Sequence, residues 1–111
     1  MNNNEVSDHN GIKIEMQAFH PGEILQEEFL IPMGVTPYRL AKETGIPQTR
    51  LSQIIKHNRR ITADTAIRLS RFFGNSVKFW LGIQDDYDVR IAWAEKKNEF
   101  DDIKLLVTAD S

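Results

Sequence analysis

TPYRLAKETGIPQTRLSQII, residues Thr36 to Ile55, is the stretch whose reading decides the fold. Leu40, Ala41 and Thr44 make one apolar stripe and Leu51, Ile54 and Ile55 a second. Both have the three- and four-residue spacing that puts side chains on one helical face. Gly45 lies between them, where a chain leaving a helix must turn sharply and a residue without a Cβ enters the left-handed conformation at least cost. Ala41 is small enough to let a second helix backbone cross close to it. The order Ala41, Gly45, Leu51, Ile54 therefore predicts a helix-turn-helix. An ordinary helical hairpin shares that spacing, so the exposed positions must carry any functional reading. Gln48, Thr49, Arg50, Ser52 and Gln53 open the second helix, and none is needed for a core. Gln pairs bidentately with adenine, Arg with guanine, and Ser or Thr with base edges or phosphate. These five are the expected base-contacting residues.

Working outward, the charge is distributed unevenly. Residues 1–35 hold one Lys and six acids (−5), residues 36–84 nine Lys and Arg and two acids (+7), and residues 85–111 four bases and eight acids (−4). The overall net charge of −2 hides this basic centre, which coincides with the helix-turn-helix. Solvated helix faces alone would also give charge runs, but would not place them there. The 111 residues suffice for one domain with a modest core. With no cysteine, disulfides and cysteine-based zinc sites are excluded, which fits a reducing cytoplasm. No secretory signal and no apolar run near the roughly 20 residues of a membrane span are present, so a cytoplasmic location is expected.

Taken in order, residues 1 to about 11 are polar and expected to lack structure. Ile12, Ile14 and Met16 alternate with charged residues, which hints at a short strand or an extended arm. Pro21 suits the first turn of a helix whose buried stripe is Ile24, Leu25, Phe29 and Leu30, and Pro32 and Gly34 end it. Thr36 and Pro37 start the next. KHNRR, residues 56–60, follows the second helix of the pair and would lie along phosphates. Thr62 is expected to cap a fourth helix with Ala66, Ile67, Leu69, Ser70 and Phe73 inward, and Ser76 a fifth. From Asp86 an apolar pattern resumes with Tyr87, Ile91 and Ala94 on one face and Val89 and Trp93 on an adjacent one. Two apolar sides on one short helix imply a partner, and Tyr87, Val89, Ile91 and Trp93 are the expected dimer interface. The acidic tail carries one apolar knot, Ile103 to Val107.

From His20 to about Lys96 the chain resembles the HigA (VapI) antitoxins, a branch of the Xre-type helix-turn-helix proteins related to phage repressors. The matching stretches are HPGEILQEEFL, the helix-turn-helix, RRITADTAIRLSRFFG and FWLGIQDDYDV. The resemblance implies an all-α, compact bundle of about five to six helices with a phage-repressor-like DNA-binding domain. It also implies a homodimer, operator DNA and a HigB-type mRNA-cleaving toxin as partners, and repression of the operon encoding both. Carried over by position, Thr36, Tyr38 and Arg39 match a phosphate-facing helix start, and Lys56, Asn58, Arg59 and Arg60 the basic loop. Pro47 departs from the pattern, standing where repressors often carry a capping Ser or Thr.

The expected organisation is a polar arm over 1–19, the helix-turn-helix domain with its dimer helix over 20–97, and an acidic tail over 98–111. The alternative function is a stand-alone Xre-family transcriptional regulator without a toxin. An enzyme is not expected. His9, His20 and His57 are far apart with no Cys to complete a metal set, and Ser52 with His57 lacks a third member. Glu27 with Glu28 and Asp85 with Asp86 are adjacent, hence on different helix faces. No cofactor is expected either.

Overall fold

The computed structural model describes residues 5–7, 13–15 and 19–107 of the chain. Among them are five helices: α1 over residues 21–33, α2 Pro37–Thr44, α3 Gln48–Ile55, α4 Ala63–Phe73 and α5 Val77–Asp101. The domain is all-α, as expected. The arm ahead of it adds two short strands, β1 Glu5–Ser7 and β2 Lys13–Glu15, paired antiparallel with Val6 opposite Ile14. Residues 5–7 are thus a strand where no structure was expected. Ile12, Met16 and the rest of that arm lie outside the described residues.

His20 precedes α1 in an extended conformation, and its Nδ1 accepts the Gly22 N–H at 2.9 Å, so an imidazole does the work of an N-cap ahead of Pro21. The helix does not stop at Pro32. It winds as an α-helix over Pro21–Ile24, widens to a π-helix over Leu25–Leu30, and closes as an α-helical turn over Ile31–Met33. In the wide segment the Ile31 N–H reaches back five residues to the Gln26 carbonyl. Proline lacks an N–H and clashes with the carbonyl four residues back, and a wider turn relieves that clash. Gly34, at φ 66°, ends the helix alone.

Thr36 caps α2 by accepting the Arg39 N–H at 3.1 Å, and Gly45 ends it at φ 74°. α3 begins after Pro47 with no side-chain cap. Leu40, Ala41, Ile46, Leu51 and Ile54 are buried, so both stripes meet the core, with Thr44 and Ile55 half-buried at its edge. Leu25, Leu30, Ile61, Ala66, Leu69 and Trp80 complete it. Phe29 and Phe73 pack on Trp80 at ring-centroid distances of 4.8 and 5.8 Å. Two expectations for α4 need correction. Thr62 occupies the cap position but makes no capping bond. Ile67 is 50% exposed, because Thr65, Ala66, Leu69 and Ser70 fill the inner face and residue 67 points a quarter-turn away.

Ser76 caps α5 by accepting the Phe79 N–H at 2.9 Å. The fifth helix and the segment from Asp86 are one continuous element, since Gly82 is helical and does not break it. The only interruption is at Lys96 (φ −129°, ψ 28°), a kink across which Trp93 and Phe100 pack edge-on at 5.1 Å. The helix therefore crosses the expected 97/98 boundary. Ile103, Leu105, Leu106 and Val107 beyond it are exposed, and residues 108–111 lie outside the described residues.

Gly22 sets how closely α1 approaches α3. A Cβ built there would sit 1.9 Å from the backbone oxygen of Ile54, whereas one at Gly82 meets nothing within 4 Å. Gly22→Ala is expected to destabilise by about 1 to 3 kcal/mol or more through overpacking against an immovable backbone atom. Gly82→Ala is expected to stabilise by roughly 0.5 to 1 kcal/mol through helix propensity. Thermal unfolding of both variants checks this, and shifts of the same sign would contradict it.

Candidate nucleic-acid interface

The candidate interface is built on α3, whose inner side is fixed by Leu51 and Ile54. That leaves Gln48, Thr49 and Gln53 exposed and Ser52 half-buried. Gln48 and Thr49 project from the first turn, at the positive end of the helix dipole. Gln53 lies a turn on, and its Oε1 accepts a hydrogen bond from Arg59 at 2.9 Å. Arg50 behaves differently from the expectation that it reads a base. Its guanidinium turns back toward α4, donating to Asp64 Oδ2 at 2.6 Å and to Thr65 Oγ1 at 3.3 Å, and its side chain is only 26% exposed. The hydrogen bond from Arg50, followed by one from Arg68, holds the Asp64 carboxyl below its ordinary value.

On the side of α2, Thr36 and Arg39 are exposed and Tyr38 is largely so. The Thr36 hydroxyl is spent on the cap, and Arg39 pairs with Glu43 at 2.7 Å. Between the two helices lies a cavity of about 220 Å³ lined by Pro37, Tyr38, Gln48, Leu51, Ser52, Ile55 and Lys56. It lies between residues of α2 expected to face phosphates and residues of α3 expected to face bases.

The loop after α3 is held rather than loose. His57 N–H bonds to the Ile54 carbonyl at 3.0 Å and Asn58 N–H to the Gln53 carbonyl at 2.8 Å. That pairing is a Schellman closure, with His57 at the left-handed position (φ 68°) usually taken by glycine. Its ring compensates by stacking on His20, with centroids 4.9 Å apart and planes 16° from parallel. Tyr87 of α5 meets the other side of His20 edge-on at 4.9 Å. Further along, Arg60 pairs with Asp88 at 2.7 Å, and Gln84, buried, accepts the Ile61 N–H at 2.7 Å while donating to Asp88 at 3.0 Å. Lys56, Asn58, Arg59 and Arg60 are all exposed along this loop.

Four residues essential to this geometry were not identified in the sequence as interface-forming: His20, Gly22, Gln84 and Asp88. The signal available for His20 was its place directly before a proline that opens a helix, where the preceding residue must be the cap. Gln84 and Asp88 form an i, i+4 pair on α5, but their loop partners lie more than 20 positions away and leave no local pattern.

Burial chiefly lowers the pKa of His20, with the positive charge of His57 adding to this and Asp88 opposing it. Burial of Asp88 acts to raise its pKa, but hydrogen bonds from Arg60 and Gln84 and the charges of Arg60 and His20 outweigh it, leaving the carboxyl below its ordinary value.

Comparison with known proteins places this geometry in a class. A helix-turn-helix family model matches residues 27–80. Virulence-associated protein I of Dichelobacter nodosus is 46% identical over 86 residues, covering 78% of this chain and 80% of that protein. Antitoxin HigA-1 of Vibrio cholerae is 40% identical over 87 residues, covering 76% and 82%. The Pseudomonas aeruginosa antitoxin HigA, solved with the higBA promoter, superposes with a TM-score of 0.77 at 35% identity over 82% of this chain and 100% of that one. The chain belongs to the HigA-type helix-turn-helix family.

A histidine whose folded pKa lies below its unfolded value of 6.5 stabilises the fold fully above that pH. The stability is lost as pH falls from about 6.5 through the folded value, because the unfolded chain then binds more protons. Protonation would also turn Nδ1 from acceptor to donor and remove the cap on Gly22. Melting temperature is therefore expected to drop between pH 7 and 5 in the native chain. The drop should be clearly shallower in His20→Asn, which can cap but cannot titrate. Parallel pH profiles for the two would contradict this role.

Proposed function

We propose that this chain is an antitoxin that represses its own operon as a dimer and neutralises a HigB-type, mRNA-cleaving toxin. The observation that carries the reading is the arrangement of α3. A helix-turn-helix presents Gln48, Thr49 and Gln53 outward, with Ser52 at their edge and Lys56 to Arg60 continuing from its C-terminal end. Base-reading groups on a helix, flanked by cations that lie along phosphates, suit major-groove binding. The P. aeruginosa relative solved with its promoter supports the same use here.

In this reading Gln48, Thr49, Ser52 and Gln53 read bases, and Arg50 acts from behind them. Tyr38, Arg39, Lys56, Asn58, Arg59 and Arg60 position the protein on phosphates, with Thr36 setting the start of α2. The dimer contact lies on α5, where Val89 and Trp93 are 54% and 43% exposed. Ile91, on the Tyr87 face of the helix, is half-buried, and Tyr87 is committed to His20. Two copies joined there would read paired half-sites about 34 Å apart, one turn of DNA. The chain works in the cytoplasm and is not an enzyme. Among the described residues no helix is long and apolar enough to cross a membrane.

Co-expression with the neighbouring reading frame, followed by a gel shift on the shared promoter, tests the proposal. A co-purifying toxin and a specific shift that needs both half-sites are expected. A shift without a complex would identify a stand-alone regulator, and the absence of both shift and complex would mean that the helix-turn-helix is only scaffold.

Single substitutions separate the roles. Gln48→Ala is expected to cost about 1 to 3 kcal/mol on operator DNA and to relax preference at one base pair. Lys56→Ala is expected to weaken binding to all sequences and to reduce the salt slope by about 1. Titration of each variant against operator and scrambled DNA at several salt concentrations checks the split, and identical behaviour would contradict it.

A further inference from the structure

Arg50 belongs to a chain of contacts that ties three helices together. From the first turn of α3 it donates to Asp64 in the first turn of α4, and the same Asp64 oxygen accepts Arg68 Nε at 3.0 Å. Arg68 in turn donates to the Thr44 carbonyl at 2.9 Å, at the end of α2. One carboxylate oxygen therefore gathers the two guanidinium groups that flank the α2–α3 turn on either side. The turn needs such a tether, because Pro47 gives α3 no side-chain cap. Asp64 is also one of only two acids in the basic stretch 36–84, the other being Glu43, which pairs with Arg39.

We infer that Asp64 is a specificity-determining positioning residue. It holds Arg50 out of the major groove and fixes the first turn of α3, so that Gln48 and Thr49 read bases there without an arginine beside them. The inference rests on the DNA-binding reading above. An arginine at the third position of a recognition helix, left untethered, would reach guanine edges or phosphates and bind them regardless of the operator. Asp64 removes that competing contact. The cost to sequence discrimination of losing Asp64 would then appear only when Arg50 is present to exploit it.

The experiment is a double-substitution cycle of Arg50→Ala, Asp64→Ala and the pair, titrated on operator and scrambled DNA across a salt series. The native chain's specific shift, measured first, tests the DNA-binding reading separately. Asp64→Ala is expected to raise affinity for scrambled DNA several-fold and to steepen the salt slope by about 1, the signature of one added phosphate contact. The operator-to-scrambled ratio should fall accordingly. Arg50→Ala, which loosens the first turn of α3, should weaken operator binding without erasing preference at any one base pair, and the double variant should return scrambled-DNA binding to that of Arg50→Ala alone.

Two results would overturn the inference. If the gain from Asp64→Ala persisted without Arg50, the effect would be mere removal of a negative charge near DNA. If Arg50→Ala erased preference at one base pair, Arg50 would be a base reader. Should Asp64→Ala fail to fold, Asp64→Asn keeps an acceptor for the guanidinium but loses the charge, and its cycle with Arg50→Ala carries the same two outcomes at reduced amplitude.

Discussion

An eight-residue helix cannot hold its own orientation, and that constraint governs this molecule. Helices shorter than about 12 to 15 residues are marginal in water, because nucleation consumes more conformational freedom than the few hydrogen bonds return. α3 therefore takes its position from what surrounds it. Leu51 and Ile54 bury its inner side completely. At its C-terminal end the backbone of Ile54 lies against Gly22, with no room for a Cβ between them. At its N-terminal end Arg50 is tied to Asp64 and Thr65. The free side chains of α3 are aimed by contacts made entirely on its other side.

The same logic explains α5. Tyr87 packs on His20, Gln84 bonds the Ile61 backbone and Asp88 holds Arg60, so successive turns of one helix face fasten the loop that follows α3. That loop contains a histidine in the left-handed region, a conformation that costs energy in any residue with a Cβ. The stack with His20 and the network beyond it offset that cost and keep the cations of residues 56–60 in register with α3. Val89 and Trp93, on other sides of α5, take no part in this fastening and remain available for contact.

What could be read in the sequence was what repeats locally. The stripes of α2 and α3, the left-handed Gly45 and the Ser76 cap all follow from spacing or from the intrinsic preferences of one residue. The misreadings came where a distant neighbour overrides such preferences. Pro32 usually ends a helix, yet a π-helical segment built on the preceding leucines absorbs it. Thr62 stands at a cap position without capping, and α5 runs through the gap between two apolar patterns because Gly82 is tolerated in a long helix. The exposure of Gln48, Thr49 and Gln53 was legible, since none of them has a place in a core. Arg50 was not, because its partners Asp64 and Thr65 lie 14 and 15 positions away and a helical period says nothing about which way a long side chain turns.

The cations of the basic centre differ in how readily they can be shared. Arg39, Arg59 and Arg60 are each bonded to a neighbour, in pairs that lie open to water. Exposed pairs of that kind contribute about 0 to 1 kcal/mol, so a phosphate can replace the partner at little cost. Arg50 is only 26% exposed and binds both a carboxylate and a buried hydroxyl, and Arg68 shares the same carboxylate. Exchanging those bonds would leave Thr65 unpaired in the core edge and the α2–α3 turn untethered. Burial sets Arg50 apart, while Arg68, 43% exposed, is held by its bonds to Asp64 and to the Thr44 carbonyl. The arginines at the rim can transfer to a polyanion, while those beneath the recognition helix keep it aimed.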